Sequence, residues 1–112
     1  MSLKNKELVK IVRDAIGHYH PIATPVYKNR YEKDGPLILI YMDKSKRIKK
    51  HVANTTSQKI YELCDGHHSL IDISQILGRC YPEATDDELF ETVVYNVRLF
   101  EKKEIIFFQK GS

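Results

Sequence analysis

The stretch "IYELCDGHHSLIDI", residues 60–73, places a cysteine, an acid and two adjacent histidines within five positions. It is either a metal or catalytic constellation or a joint between two helices, and the fold of the C-terminal half turns on which. Cys64 with His67 or His68 makes one Cys-x2-His pair, and a tetrahedral zinc site needs further ligands. The other candidates, His18, His20, His51 and Cys80, stand at no ligand spacing. Cys64 follows Ile60 by four residues, so it falls on the apolar stripe of a helix, where free cysteine serves as a small core residue. A Cys–His nucleophile would need a third, orienting group that nothing here supplies. The five glycines are scattered and form no phosphate-binding loop. The stretch therefore reads as a joint: Gly66 takes the positive φ that ends one helix, and His67 and His68 are turn residues.

Working outward, each helix has a legible start. Thr55-x-x-Gln58 forms a capping box, with Asn54 as a competing cap, for a helix reaching about residue 65. Ser69-x-x-Asp72 opens a second helix, with Ile73, Ile76, Leu77 and Cys80 inward and Pro82 beyond its end. Thr85-x-x-Glu88 opens a third, running to about residue 103, before a last strand "EIIFF" at 104–108.

Upstream lie three strands. "VYKNRYE" (26–32) alternates, "KDGP" turns, and "LILIYM" (37–42) is a β-rich run expected to be buried on both faces. After "DKSK", "RIKKHVAN" (47–54) is a third strand, with Ile48 and Val52 on one face and Arg47, Lys49 and His51 on the other. Its lysines mark it as an edge strand. Residues 5–17 form an amphipathic helix with Leu8, Ile11, Val12, Ala15 and Ile16 on its stripe, and Gly17 stops it. The order is α-βββ-ααα-β: an α+β, winged helix-turn-helix-like fold. A three-stranded antiparallel sheet precedes three helices, with an extra N-terminal helix. Residues 1–22 are an arm that packs on the domain or on a second copy, giving a homodimer in the latter case, and 23–110 are the domain.

A 112-residue chain of ordinary globular composition supports one modest core. No apolar run is long enough to span a bilayer, and the N-terminus lacks a secretory h-region. Two cysteines are too few for a disulfide scaffold, so a reduced, cytoplasmic chain is expected. The net charge of +3 hides an asymmetry: residues 1–56 carry 12 Lys/Arg against 5 Asp/Glu, and residues 57–112 carry 6 against 10. The basic half favours an acidic partner, and Lys44, Lys46, Arg47, Lys49 and Lys50 concentrate that charge at the third strand.

The ordered set Asn54, Thr55, Ile60, Leu63, Cys64, Asp65, Gly66, Ser69, Leu70, Ile73, Tyr81, Val93 and Ile105 resembles the PqqD family over residues 26–107. The N-terminal helix and the lysine-rich turn depart from that family's minimal domain. The resemblance implies a non-catalytic chaperone, or recognition element, without cofactor or metal. Such a protein binds the leader of a ribosomally made precursor peptide and presents its core to a modifying enzyme, often a radical SAM protein. Pyrroloquinoline quinone synthesis and other modified-peptide pathways both fit. It further implies that the leader adds to the third strand, in a groove against the third helix. On this chain Arg47, Ile48, Lys49, Lys50, His51 and Val52 would supply the edge. With Leu89 at the centre of the core face and about 100° per residue, Phe90 and Val94 form an apolar shoulder beyond it. Phe90 and Val94 would then be the pocket, edged by Glu91 and Arg98. The alternative is that Phe90 and Val94 pack on the N-terminal helix.

The rival class is a winged-helix DNA-binding regulator. The third helix opens "TDDELFE" and has four acids before its first base, Arg98, so phosphate contact through that helix is disfavoured. No motif supports an enzyme.

Overall fold

A computed structural model describes residues 6–23, 28–31, 37–42 and 45–109. Among these the fold is α+β, with four helices and two small antiparallel sheets. In chain order the elements are α1 (Lys6–Ile16), β1 (His20–Ala23), β2 (Lys28–Tyr31), β3 (Leu37–Met42) and β4 (Ile48–Ala53). Then follow α2 (Thr55–Glu62), α3 (Leu70–Cys80), α4 (Asp86–Lys102) and β5 (Ile106–Gln109). One sheet has the order β2-β3-β4, and the second pairs β1 with β5. The β1 strand lies largely in the N-terminal arm, where the residues before Pro21 are expected to be extended but have no pairing partner assigned from sequence. Its register sets His20 against Gln109 and Ala23 against Ile106, tying the two ends of the domain together.

The helices begin where their side chains satisfy the first backbone N–H groups. Ser69 and Thr85 form complete capping boxes with Asp72 and Glu88. For α2 the cap is Asn54 and not Thr55: its side chain accepts from the Ser57 N–H at 2.9 Å. The α2 helix stops at Glu62, short of the expected residue 65, and Gly66 takes φ 83° three residues past the Leu63 C-cap.

The core gathers Leu39 from β3, Ile60 from α2, Leu70, Ile73 and Leu77 from α3, and Val93, Val97 and Phe100 from α4. Within α3 the inward stripe includes Leu70 and Ser74; Cys80, expected inward, is exposed, and Ile76 is half-buried. The α1 helix packs along α4, within the same chain. Its inward residue is Val9, with Val12 and Ile16 beside it, while Leu8 and Ile11 of the expected stripe face outward. Gly17 permits the close approach of α1 to α3: a Cβ there would lie 2.3 Å from the Arg13 carbonyl oxygen and 2.6 Å from an Ile71 methyl. The backbones lock at the same point, because the Ile71 N–H donates to the Gly17 carbonyl at 3.1 Å.

Candidate functional site

Cys64, at the centre of the joint, is structural. It is 3% exposed, and its thiol donates to the Ile60 carbonyl within α2. Burial, with the Asp65 charge beside it, pushes the thiol up to about 12, which keeps it protonated and poorly nucleophilic. Asp65 organises the turn by accepting from the His67 N–H at 2.8 Å and meeting His68 Nδ1 at 2.9 Å. Burial raises the Asp65 carboxyl, but the His68 and His67 hydrogen bonds outweigh it and hold the group below its ordinary value. Among the described residues no three His, Cys, Asp or Glu groups are placed to share a metal ion.

The β4 strand, Ile48–Ala53, carries the exposed basic residues Lys49 and Lys50. It is an edge strand: among the described strands β3 is its one partner, and none pairs with its other side. Its residues divide between two faces as the alternation sets them, and the structure decides which face is open. His51 and Ala53 point inward, at 7% and 1% exposure, whereas Ile48 and Val52 lie outward at 65% and 51%. The register explains which face is inward. Leu39, wholly buried at the centre of β3, is the Cα partner of His51, so the odd-numbered residues of β4 share its face. Val52 and Lys50 pair instead with Ile38 and Ile40 on the outer face.

His51 fills its inward place as an aromatic. Its ring meets Phe100 edge-on at 5.5 Å between centroids, and Phe100 meets Tyr61 in the same manner at 5.8 Å. Lys103 Nζ lies 2.9 Å from His51 Nδ1. An ammonium can only donate, so Nδ1 accepts and the imidazole is neutral. Burial first, and the Lys103 charge second, lower the His51 pKa. Arg47, Lys49 and Lys50 are exposed, as is Lys46, held in a turn at φ 63°. Lys44 lies outside the described residues.

The helix side of the expected groove also changes. Phe90 is 0% exposed and cannot serve as an open pocket. Arg13 of α1 sits over its ring at 5.1 Å, and the same guanidinium reaches Asp87 at 3.8 Å and the Asp86 carbonyl at 3.3 Å. Packing on the N-terminal helix therefore accounts for Phe90. Glu91, Val94 and Arg98 do line one open groove, but its facing wall is Val12 and Ile16 of α1. No β4 residue lines it. The ten residues expected to form one site thus divide between an exposed strand edge, an α1–α4 groove and the core.

One contact beneath these surfaces was not legible in sequence: buried Ser57 on α2 donates its hydroxyl to Asn96 Oδ1 on α4. Asn96 sits between apolar positions at helical spacing, and its partner is 39 residues away. No protein-family model matches the chain, and no curated protein or solved structure shows significant similarity to it.

Proposed function

We propose that this chain is a non-catalytic peptide-binding module that captures an extended, acidic segment by strand addition to β4. The observation that carries the reading is the β4 edge, with which no described strand but β3 pairs and which combines outward Ile48 and Val52 with exposed Arg47, Lys49 and Lys50. Such an edge offers backbone groups for a ladder, apolar surface to cover and charge to select an acidic partner. The order of a hairpin sheet before α2, α3 and α4 supports a winged helix-turn-helix arrangement, as the PqqD resemblance implies. On that reading the ligand is the leader of a precursor peptide, in pyrroloquinoline quinone synthesis or another modified-peptide pathway. The partner enzyme is a peptide-modifying one such as a radical SAM protein, and the setting is cytoplasmic. No described helix is long and apolar enough to cross a membrane. The acidic opening of α4 at Asp86, Asp87 and Glu88 argues against seating that helix on phosphates.

The test is fluorescence polarisation of the full chain with labelled acidic and neutral peptides at two salt concentrations, beside a duplex DNA control. Hydrogen exchange of the β4 amides runs in parallel. Saturable, salt-sensitive binding of the acidic peptide with slowed exchange at residues 48–52 is the expected result. Val94→Asp, in the separate α1–α4 groove, should leave that affinity within about two-fold, given the distance between independent sites. DNA binding without peptide binding would overturn the reading and assign the basic hairpin to phosphate contact.

A further inference from the structure

The outward row of β4 is short and specific: Ile48, Lys50, Val52, apolar–basic–apolar, all exposed. A strand added to the edge places every second side chain on that same face, about 4.5–5.5 Å from its β4 neighbour. The inner row offers little choice of side chain, because His51 and Ala53 are already covered by the protein's own core. We infer that β4 selects extended segments of the pattern apolar–x–acid–x–apolar, read on the outer face of the sheet by Ile48, Lys50 and Val52. This rests on the strand-addition reading above and specifies its ligand.

Two features of the row support the pattern. It reads the same in both directions chemically, so parallel and antiparallel addition demand the same ligand residues. It also discriminates against a second copy of this chain. Symmetric β4–β4 pairing centred on Lys50 would match Ile48 with Val52, but would set Lys50 against Lys50, and like charges directly opposite are destabilising. A carboxylate at the central position converts that repulsion into a cross-strand ion pair, while the flanking apolar contacts remain. β-Branched residues at 48 and 52 would suit any strand. The lysine between them is what adds the charge requirement.

Three fluorescein-labelled peptides with identical polar flanks test this, with Ile-Thr-Glu-Thr-Val, Thr-Ile-Glu-Val-Thr or Ile-Thr-Lys-Thr-Val at their centres. The first two have the same composition and charge and differ in which face carries the apolar side chains. The first should bind the full chain about five-fold more tightly than either of the others, the scale of a good cross-strand pair. Lys50→Glu should reverse the preference between the first and third, with its circular dichroism and melting temperature unchanged. Equal, saturable affinity for the first two peptides would overturn the pattern while leaving strand addition intact. Failure of all three, and of the acidic peptide above, would remove both. A wild-type chain that is dimeric by light scattering, and monomeric as Val52→Asp, would assign the row to a second copy and overturn the inference.

Discussion

The β4 strand and the α4 helix each carry more apolar residues than their core stripe requires, and the fold treats the two surpluses in opposite ways. On α4 the surplus at Phe90 is absorbed: α1 lies across it, Arg13 caps the ring, and the side chain is fully buried. On β4 the surplus at Ile48 and Val52 stays outside, at the edge of its sheet and on the face opposite the buried His51 and Ala53. Apolar residues beyond a stripe are thus not in themselves a binding surface. They stay exposed only where no other part of the fold packs on them, and the proposed binding edge is such a place.

The sharpest way to break this contrast is truncation on each side. Phe90→Ala should cost about 3–5 kcal/mol in chemical denaturation, as a fully enclosed aromatic. A loss below about 1 kcal/mol would mean that α1 does not hold Phe90 in solution. Gly17→Ala probes the same α1 docking from its far end. Forcing a Cβ against the Arg13 carbonyl and Ile71 should cost about 1–3 kcal/mol, read as a lower denaturation midpoint.

The inward face of β4 can be tested through His51. Its pKa is lowered in the folded state, so folding favours the neutral ring. The associated stability is complete above the unfolded value of about 6.5 and is lost as pH falls below it. The expected slope is at most about 1.4 kcal/mol per pH unit in that window, measured as denaturation midpoints between pH 7.5 and 5.5. His51→Gln should flatten it. The Asp72 and Glu88 caps, whose pKa values are also lowered, chiefly by hydrogen bonds from Ser69 and Thr85, act only at lower pH. Smallest of all, Ile48→Ser and Val52→Ser should shift stability by no more than about 0.5 kcal/mol, the range for surface changes. A larger loss would show that the outer face of β4 is covered in the free protein.

Sequence reading succeeded where the deciding interaction is local. The Ser69–Asp72 and Thr85–Glu88 boxes close within a single turn and were readable residue by residue. The core positions of α4 at Leu89, Val93, Val97 and Phe100 follow from helical period alone. It set Ile48 and Val52 on one face of β4 and Lys49 and His51 on the other, as the structure has them, but did not say which of the two faces is buried. A strand's faces are fixed by its neighbour's register, and His51 was drawn inward by Leu39 beside it and by Phe100 and Lys103 some fifty residues away. It also joined Phe90, Glu91, Val94 and Arg98 to the strand as one groove, where the structure has α1 between core and solvent on that side.

What the sequence determined by itself is therefore every element but β1, the capping boxes that start α3 and α4, and the concentration of positive charge at β4. These depend on neighbours a few residues apart and on composition. Only the tertiary structure decided which face of β4 is open, that Phe90 is closed, and that β1 pairs with β5. Each of those depends on elements distant in the chain competing for the same apolar surface, and no local pattern records which of them arrives.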